Sequence, residues 1–505
     1  MTPEDLYNGI TELPEEYIEE ADDVPQRRRH WGKWAAIAAA LAVIIGITSL
    51  LPRMGGSAKG GGTGGTEGQT YHSYAGPVFP LTAIDHTNGI FVDRNTDLDF
   101  SPYQSLPPDE YGYSRWKEEM IVTDSYRLFN ETESDQQLTL VYPFAASFAD
   151  PADWLPVLTV DGAEIPATLY AGPYSGGYQS AGGDSVSLNL APLHQFTDYE
   201  ALLADGQYLE NALAGFPALD QPVYVYRLSD YEVAPTDAAN PTLQIEYYVN
   251  YAATKVLTFG SNGGTVNRED GWGARHVGGL GNEYRQPEDM YLILLGDDLT
   301  EYAVQGYADG GCDPGEEIEI TCTVTRYEST LGEMLLQFTE QFSGYYHPEE
   351  PTIESLVPME LVYGCICELM ADHGILSDNP AERYDFGMLE DYLSEGRSVK
   401  RVFYLAFDVT VPADTSVDIA AHMTKEGSFN YYGGGKEVSG FEGYELAVDL
   451  GSTLSFSEQW ASIQGAEYIE ILDQNFGFDP GNGIGRVQLD PTVSCYWLQV
   501  CKKES

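Results

Sequence analysis

The sequence predicts a mainly β protein with inserted helices: β-sandwich-like extracytoplasmic domains behind one N-terminal transmembrane helix. Three observations carry this. Several windows alternate apolar and polar residues with a period of two. Glycine (53) and tyrosine (36) are abundant, a mix that suits strands and turns. One long uncharged apolar run stands near the N-terminus.

The run is Trp34–Leu51 (WAAIAAALAVIIGITSLL), 18 residues without a charge. At about 1.5 Å per residue it extends about 27 Å, close to the thickness of a bilayer core. Arg27, Arg28, Arg29 and Lys33 precede it, whereas only Arg53 and Lys59 follow closely. That asymmetry places the N-terminus inside the cell. A cleaved signal peptide has a shorter cationic region and a small-residue cleavage site, and neither is evident here. Residues 1–33 are therefore expected to form an acidic cytoplasmic tail, 34–51 a membrane span, and the rest an extracellular part of a cell-membrane protein.

Residues 52–76 form a glycine-rich linker. Within it GGSAKGGGTGGTEG (55–68) has eight glycines in fourteen positions. From Arg53 to Gly76 a flexible coil of this composition reaches ~25–30 Å on average.

A β-rich region is expected over 77–350. A hairpin is predicted at Met120–Phe144, where a polar turn separates two alternating runs. Further strands are expected at Leu155–Val160, Val223–Leu228, Leu243–Tyr251, Tyr291–Leu295 and Ile318–Arg326. Asp198–Leu213 is a candidate helix. Leu331, Met334, Leu335, Phe338 and Phe342 have helical spacing, and Thr330 with Glu333 forms a capping box ahead of them.

Residues 351–399 read as a helical divider, with Pro358 suiting a first turn and Met388–Leu393 forming an amphipathic stretch. A second β-rich region, 400–505, follows. In Arg401–Val411, Phe403, Leu405, Phe407, Val409 and Val411 share one face. Strands are also expected at Tyr444–Leu450, Tyr468–Leu472 and Cys495–Cys501.

Asp and Glu number 79 against 25 Lys and Arg, a formal charge of −54. Such a balance argues strongly against nucleic acid, whose phosphates need clustered cations. It keeps a surface protein soluble. The six cysteines allow fifteen pairings; Cys312 and Cys322 flank a short polar stretch and could close a hairpin. Cys365-x-Cys367 lies in a helical pattern, which points the two thiols apart.

Catalytic motifs are mostly absent. No HExxH, P-loop, kinase set or GxSxG occurs. Ser114–Lys117 matches SxxK without its companion motifs. A pair of glycosidase carboxylates cannot be singled out among 79 acids. The best metal candidate is a calcium-loop pattern with Asp93, Asn95, Asp97 and Asp99 at alternate positions. Leu98 stands where that loop needs glycine, and Gln104 where it needs glutamate, so a solvated acidic loop is the plainer reading. No other cofactor is expected.

The first 50 residues, LYNGITELPEEYIEEADD followed by a basic cluster and WAAIAAALAVIIG, resemble the leader of bacterial single-pass proteins, some of them anti-sigma-like. The remainder resembles large β-rich surface proteins of gut-type anaerobic bacteria. SYRLFNETESDQQLTLVYPF with LPVLTVDG is similar to β-sandwich modules that precede von Willebrand domains. The resemblance implies an anchored sensor or regulator and supplies no catalytic residues.

In the tail, Leu6, Ile10, Leu13 and Tyr17 fall at helical spacing, interrupted by Gly9 and Pro14. They could dock on a cytoplasmic protein. Three functions compete: a membrane-anchored sensor or regulator; a surface binding or structural protein with an inert tail, taking a glycan or protein ligand; and an anchored hydrolase.

Overall fold

The computed structural model describes residues 73–84, 88–105, 119–149, 155–178, 188, 190–281, 289–343, 357–372, 374–377, 384, 387–430 and 441–503. The tail, the apolar run 34–51 and nearly all of the linker lie outside them. No helix among the described residues is long and apolar enough to cross a membrane. The described chain is mainly β, with six sheets and few helices.

The principal strands of the first layered unit are β1 (Ile90–Asp99), β2 (Glu119–Asn130), β3 (Gln136–Ala146), β4 (Val157–Val160), β5 (Arg401–Val411), β6 (Ser416–Glu426), β7 (Phe441–Ala447), β8 (Phe456–Gln464), β9 (Arg486–Gln488) and β10 (Cys495–Lys502). The largest sheet has seven strands in the order β9-β8-β1-β2-β6-β4 and the short strand Ala163–Glu164. Its pairs are antiparallel except β8 with β1. Strict alternation builds one core from it: Ile90, Val92, Val122, Leu128, Ile419 and Ala461 face inward. They meet Leu140, Phe144, Phe403 and Phe407 of a four-stranded sheet and Tyr444, Leu446 and Leu498 of a five-stranded one.

Helices α1 (Phe196–Leu203) and α2 (Gln207–Ala214) cover the other face of β3 and β5, where Tyr199, Leu203 and Tyr208 pack on Val141, Val402 and Tyr404. Left-handed Gly206 divides what the sequence reads as one helix.

A second layered unit holds the strands of 222–330. Its four-stranded sheet, which includes Pro222–Val233 and Met290–Leu295, packs on one side against a five-stranded sheet around Leu228, Ile245 and Val277. Its other side meets α3 (Leu331–Ser343), α4 (Met359–Asp372) and α5 (Leu389–Ser398) through Phe259, Ile293, Phe338 and Leu393. The capping box opens α3 as expected: Glu333 donates its backbone N–H to Thr330 Oγ1, and Thr330 donates its own to Glu333 Oε2, both at 3.2 Å.

Helix α4 joins the two cores, with Cys365 in one and Cys367 in the other. All six cysteines are free thiols, including Cys312 and Cys322.

Two expectations are corrected. Residues Met120–Phe144 do not form a hairpin: β2 pairs with β1 and β6, and β3 pairs with β5 and the short strand Thr82–Ala83. Both strands carry an apolar face. Crossing from one sheet to the other lets those faces bury each other instead of lying side by side. The boundaries near 350 and 400 also do not coincide with sheet boundaries, because β5 pairs with β3 and β6 with β2. Long inward faces on β5 and β6 find their partners hundreds of residues upstream.

Candidate functional site

The outer face of the seven-stranded sheet carries an open groove of about 620 Å³. Strand register assembles it. Trp460 pairs laterally with Asn95, Asn95 with Ser125, Ser125 with Ala420, and Ala420 with Thr159. This row is small or polar beyond the indole, so it forms a floor crossing four inter-strand gaps of about 4.8 Å each. The neighbouring row, Glu458, Asp93, Arg127 and Asp418, makes one wall. His422 and Arg486 line the groove from the other side.

Two of the charges on this surface, Arg127 and Asp418, are paired with each other. Arg127 Nε donates to Asp418 Oδ1 at 2.7 Å and its Nη2 to Oδ2 at 3.1 Å, a bidentate contact about half exposed on both sides. The hydrogen bond holds Asp418 below the usual carboxylate range and raises Arg127. Trp460 Nε1 donates to Glu458 Oε2 at 3.1 Å, while Arg486 Cζ lies 4.4 Å from the indole centroid. Thr123 Oγ1 and His422 Nδ1 are 3.1 Å apart. At the far end Asp161 and Gly162, both with positive φ (51° and 78°), turn β4 back on itself, as a two-residue hairpin loop requires.

Beneath the floor, on the inward face, Arg94 and Asp124 form a fully buried bidentate pair, with Nε–Oδ1 and Nη2–Oδ2 both 2.9 Å. Thr96 Oγ1 donates to Asp124 Oδ1 at 2.8 Å, Tyr126 donates to Oδ2, and Arg94 Nη1 reaches the Ala447 carbonyl at 2.7 Å. Burial alone would lower the Arg94 pKa, but the Asp124 carboxylate outweighs it and the net shift is upward. Arg94 and Asp124 are both hydrogen-bonded and fully buried, and they tie together the strands that build the groove.

The calcium-loop candidates are placed differently from a loop. Asp93, Asn95, Asp97 and Asp99 sit on one face of β1, strung over about 20 Å of extended chain. Asp93 and Asn95 line the groove; Asp97 accepts from Ser462 and its pKa is raised by burial; Asp99 accepts from Ser101. An alternating acidic strand and an acidic loop share a spacing of two, which is why the pattern reads both ways. Among the described residues, no group of three or more His, Cys, Asp or Glu side chains is placed to hold a metal ion. Leu6, Ile10, Leu13 and Tyr17 lie outside the described residues.

Sequence reading did not single out Trp460, Arg486, Arg127 or Asp418. The usable signal was the two-residue alternation of SVDIAAHMTKE (416–426) and FSEQWASIQ (456–464). No protein-family model and no curated protein matches the chain.

Proposed function

We propose that the chain is a single-pass, membrane-anchored extracytoplasmic protein of the sensor or regulator type, whose β-rich part takes its ligand in the sheet groove. The supporting observation is the groove itself, where five strands bring one indole, paired charges of both signs and a floor of small polar side chains to one open face. That chemistry suits an extracellular glycan. Hydroxyls can meet the carboxylates of Asp93 and Glu458, the Arg127 N–H groups that Asp418 leaves unused and the Asn95 amide, while the indole offers a flat apolar wall.

Anchoring through residues 34–51, with the N-terminus cytoplasmic, rests on the apolar run and its flanking cations. In the regulator reading the anti-sigma-like tail docks on a cytoplasmic protein through Leu6, Ile10, Leu13 and Tyr17. A surface binding protein with an inert tail uses the same groove; Gly9 and Pro14, which interrupt the tail's helical spacing, favour it.

Affinity electrophoresis of the full chain in mild detergent, through gels holding xylan, mannan or starch, tests the ligand class. At least one polysaccharide should slow the wild type and leave Trp460→Ala unaffected. Unchanged migration of the wild type in all three gels, or equal retardation of the variant, overturns the groove reading. A 1–33 peptide that captures a cytoplasmic protein, and loses it when Leu6, Ile10 and Leu13 become Ser, separates the regulator from the inert-tail protein.

A further inference from the structure

A second cavity, separate from the groove, opens at one end of the first core. It holds about 390 Å³ and is walled by Pro77, Phe79, Pro143, Phe144 and Met423, with Lys400 and Lys425 among its lining side chains. Lys425 is a register anomaly. Strand β6 turns Val417, Ile419, Ala421 and Met423 inward, and alternation carries Lys425 inward as the next member of that row. The residue is only 6% exposed. Its Nζ donates to the Glu426 carbonyl at 3.2 Å.

An apolar residue would fill this position more cheaply, since a buried ammonium loses hydration that one carbonyl cannot replace. The charged groups around it are mixed. Lys400 pairs with Glu426 at the mouth, Glu119 also lines the cavity, and buried Glu445 and Glu442 act on Lys425 from β7. Burial first and the Lys400 cation second push the Lys425 amine down to about 7, against the pull of Glu445 and Glu442.

We propose that Lys425 is a reactive amine that condenses with a small uncharged aldehyde or ketone held in this cavity. The Nζ lone pair adds to the carbonyl carbon and the π bond moves to oxygen, giving a carbinolamine. The oxygen then leaves as water with the two protons released by nitrogen, and a C=N bond remains. Amine plus carbonyl compound becomes imine plus water, so no oxidant or reductant is required. Desolvation and a neighbouring cation are the two recognised ways to free a lysine for this step. The apolar walls favour an uncharged reactant, and the charges at the mouth are already engaged in the Lys400–Glu426 ion pair.

Benzaldehyde with sodium cyanoborohydride, applied to the full chain in mild detergent at pH 7 and followed by peptide mapping, tests this. The reductant only traps the imine as a stable benzylamine. At pH 7 an ordinary exposed lysine is free base to about one part in a few thousand, so Lys425 should be labelled at least about tenfold faster than exposed Lys503 even after restricted access is counted. Its labelling should saturate with benzaldehyde concentration, glyoxylate should label it more slowly, and Lys400→Met should slow it. The Lys425→Met variant should lose that labelled peptide; should it fail to fold, the comparison of Lys425 with Lys503 inside the wild-type chain still decides. Labelling of Lys425 no faster than Lys503 overturns the proposal, and faster labelling by glyoxylate overturns the assigned ligand class.

Discussion

Strand β2 takes part in an arginine–aspartate pair on each of its faces. Inward, Asp124 holds Arg94 with both side chains fully buried; outward, Arg127 holds Asp418 with both about half exposed. The two pairs are alike in geometry, each a guanidinium gripping a carboxylate through two hydrogen bonds. Their surroundings make them energetically different. Water screens the outer pair and already solvated both ions before they met. The inner pair gave up that hydration and recovers it through its partner, Thr96, Tyr126, Gln459 and the backbone carbonyls of Phe79, Ala447 and Val448. One face is therefore locked and the other adaptable, which is what a binding surface on a rigid sheet requires.

The largest effect should come from breaking the inner pair. Asp124→Ala leaves the Arg94 charge buried without its counter-ion and should cost ~3–5 kcal/mol by urea unfolding. Arg94→Met combined with Asp124→Leu removes both charges, and much of that loss should return. A double variant as unstable as Asp124→Ala alone would mean that the cluster stabilises by packing rather than by mutual compensation.

The pH dependence of stability should also separate inside from outside. Burial pushes Glu445 up to about 7, although the hydroxyl of Tyr74 and the charge of Lys425 pull it back; burial likewise lifts Asp391 to about 6. Between about pH 4.5 and 7 the folded chain keeps the Glu445 proton that the unfolded chain has already released. The contribution of Glu445 to stability then falls as pH rises through this window, by an amount on the order of 2–3 kcal/mol. Asp418 has the opposite sign: its pKa is lowered by Arg127, so its contribution is present above the ordinary carboxylate pKa and is lost as pH falls. Melting temperatures measured from pH 4.5 to 7 should decline in the wild type and decline less in Glu445→Gln. Equal slopes in the wild type and Glu445→Gln would show that Glu445 is ionised in the folded state throughout.

The same contrast explains what was legible in the sequence. Arg401–Val411 was readable as a strand because its alternation is local, and its bounds match β5. The Thr330–Glu333 capping box was readable for the same reason. The inner pair was hidden, because Asp124 is one of 79 acids and becomes distinctive only when β1 brings Arg94 against it. The groove was hidden too. Its walls come from residues as distant as Asp93 and Arg486, and only sheet order makes them neighbours. Met120–Phe144 misled because two alternating runs around a polar turn fit a hairpin and a sheet-to-sheet crossing equally well. Strand β6 went unread, and the inward position of Lys425 at the end of its alternation was hidden with it.

The smallest stability effect belongs to the outer pair, and it is the most informative about function. Arg127→Ala removes an exposed bidentate contact worth ~0.2–1 kcal/mol, and Asp418 is left facing water rather than stranded in an apolar core. Its urea midpoint should barely move. Salt at about 1 M, where the Debye length is near 3 Å, should shrink the remaining difference further. The same variant removes the main hydrogen-bond donor of the groove wall, so it should weaken retention by whichever polysaccharide slows the wild type. A loss of more than ~2 kcal/mol would place Arg127 with Arg94 as a structural residue and erase the distinction between the two faces. Stability unchanged and retention lost would locate recognition on the outer face, with the guanidinium serving the ligand rather than the fold.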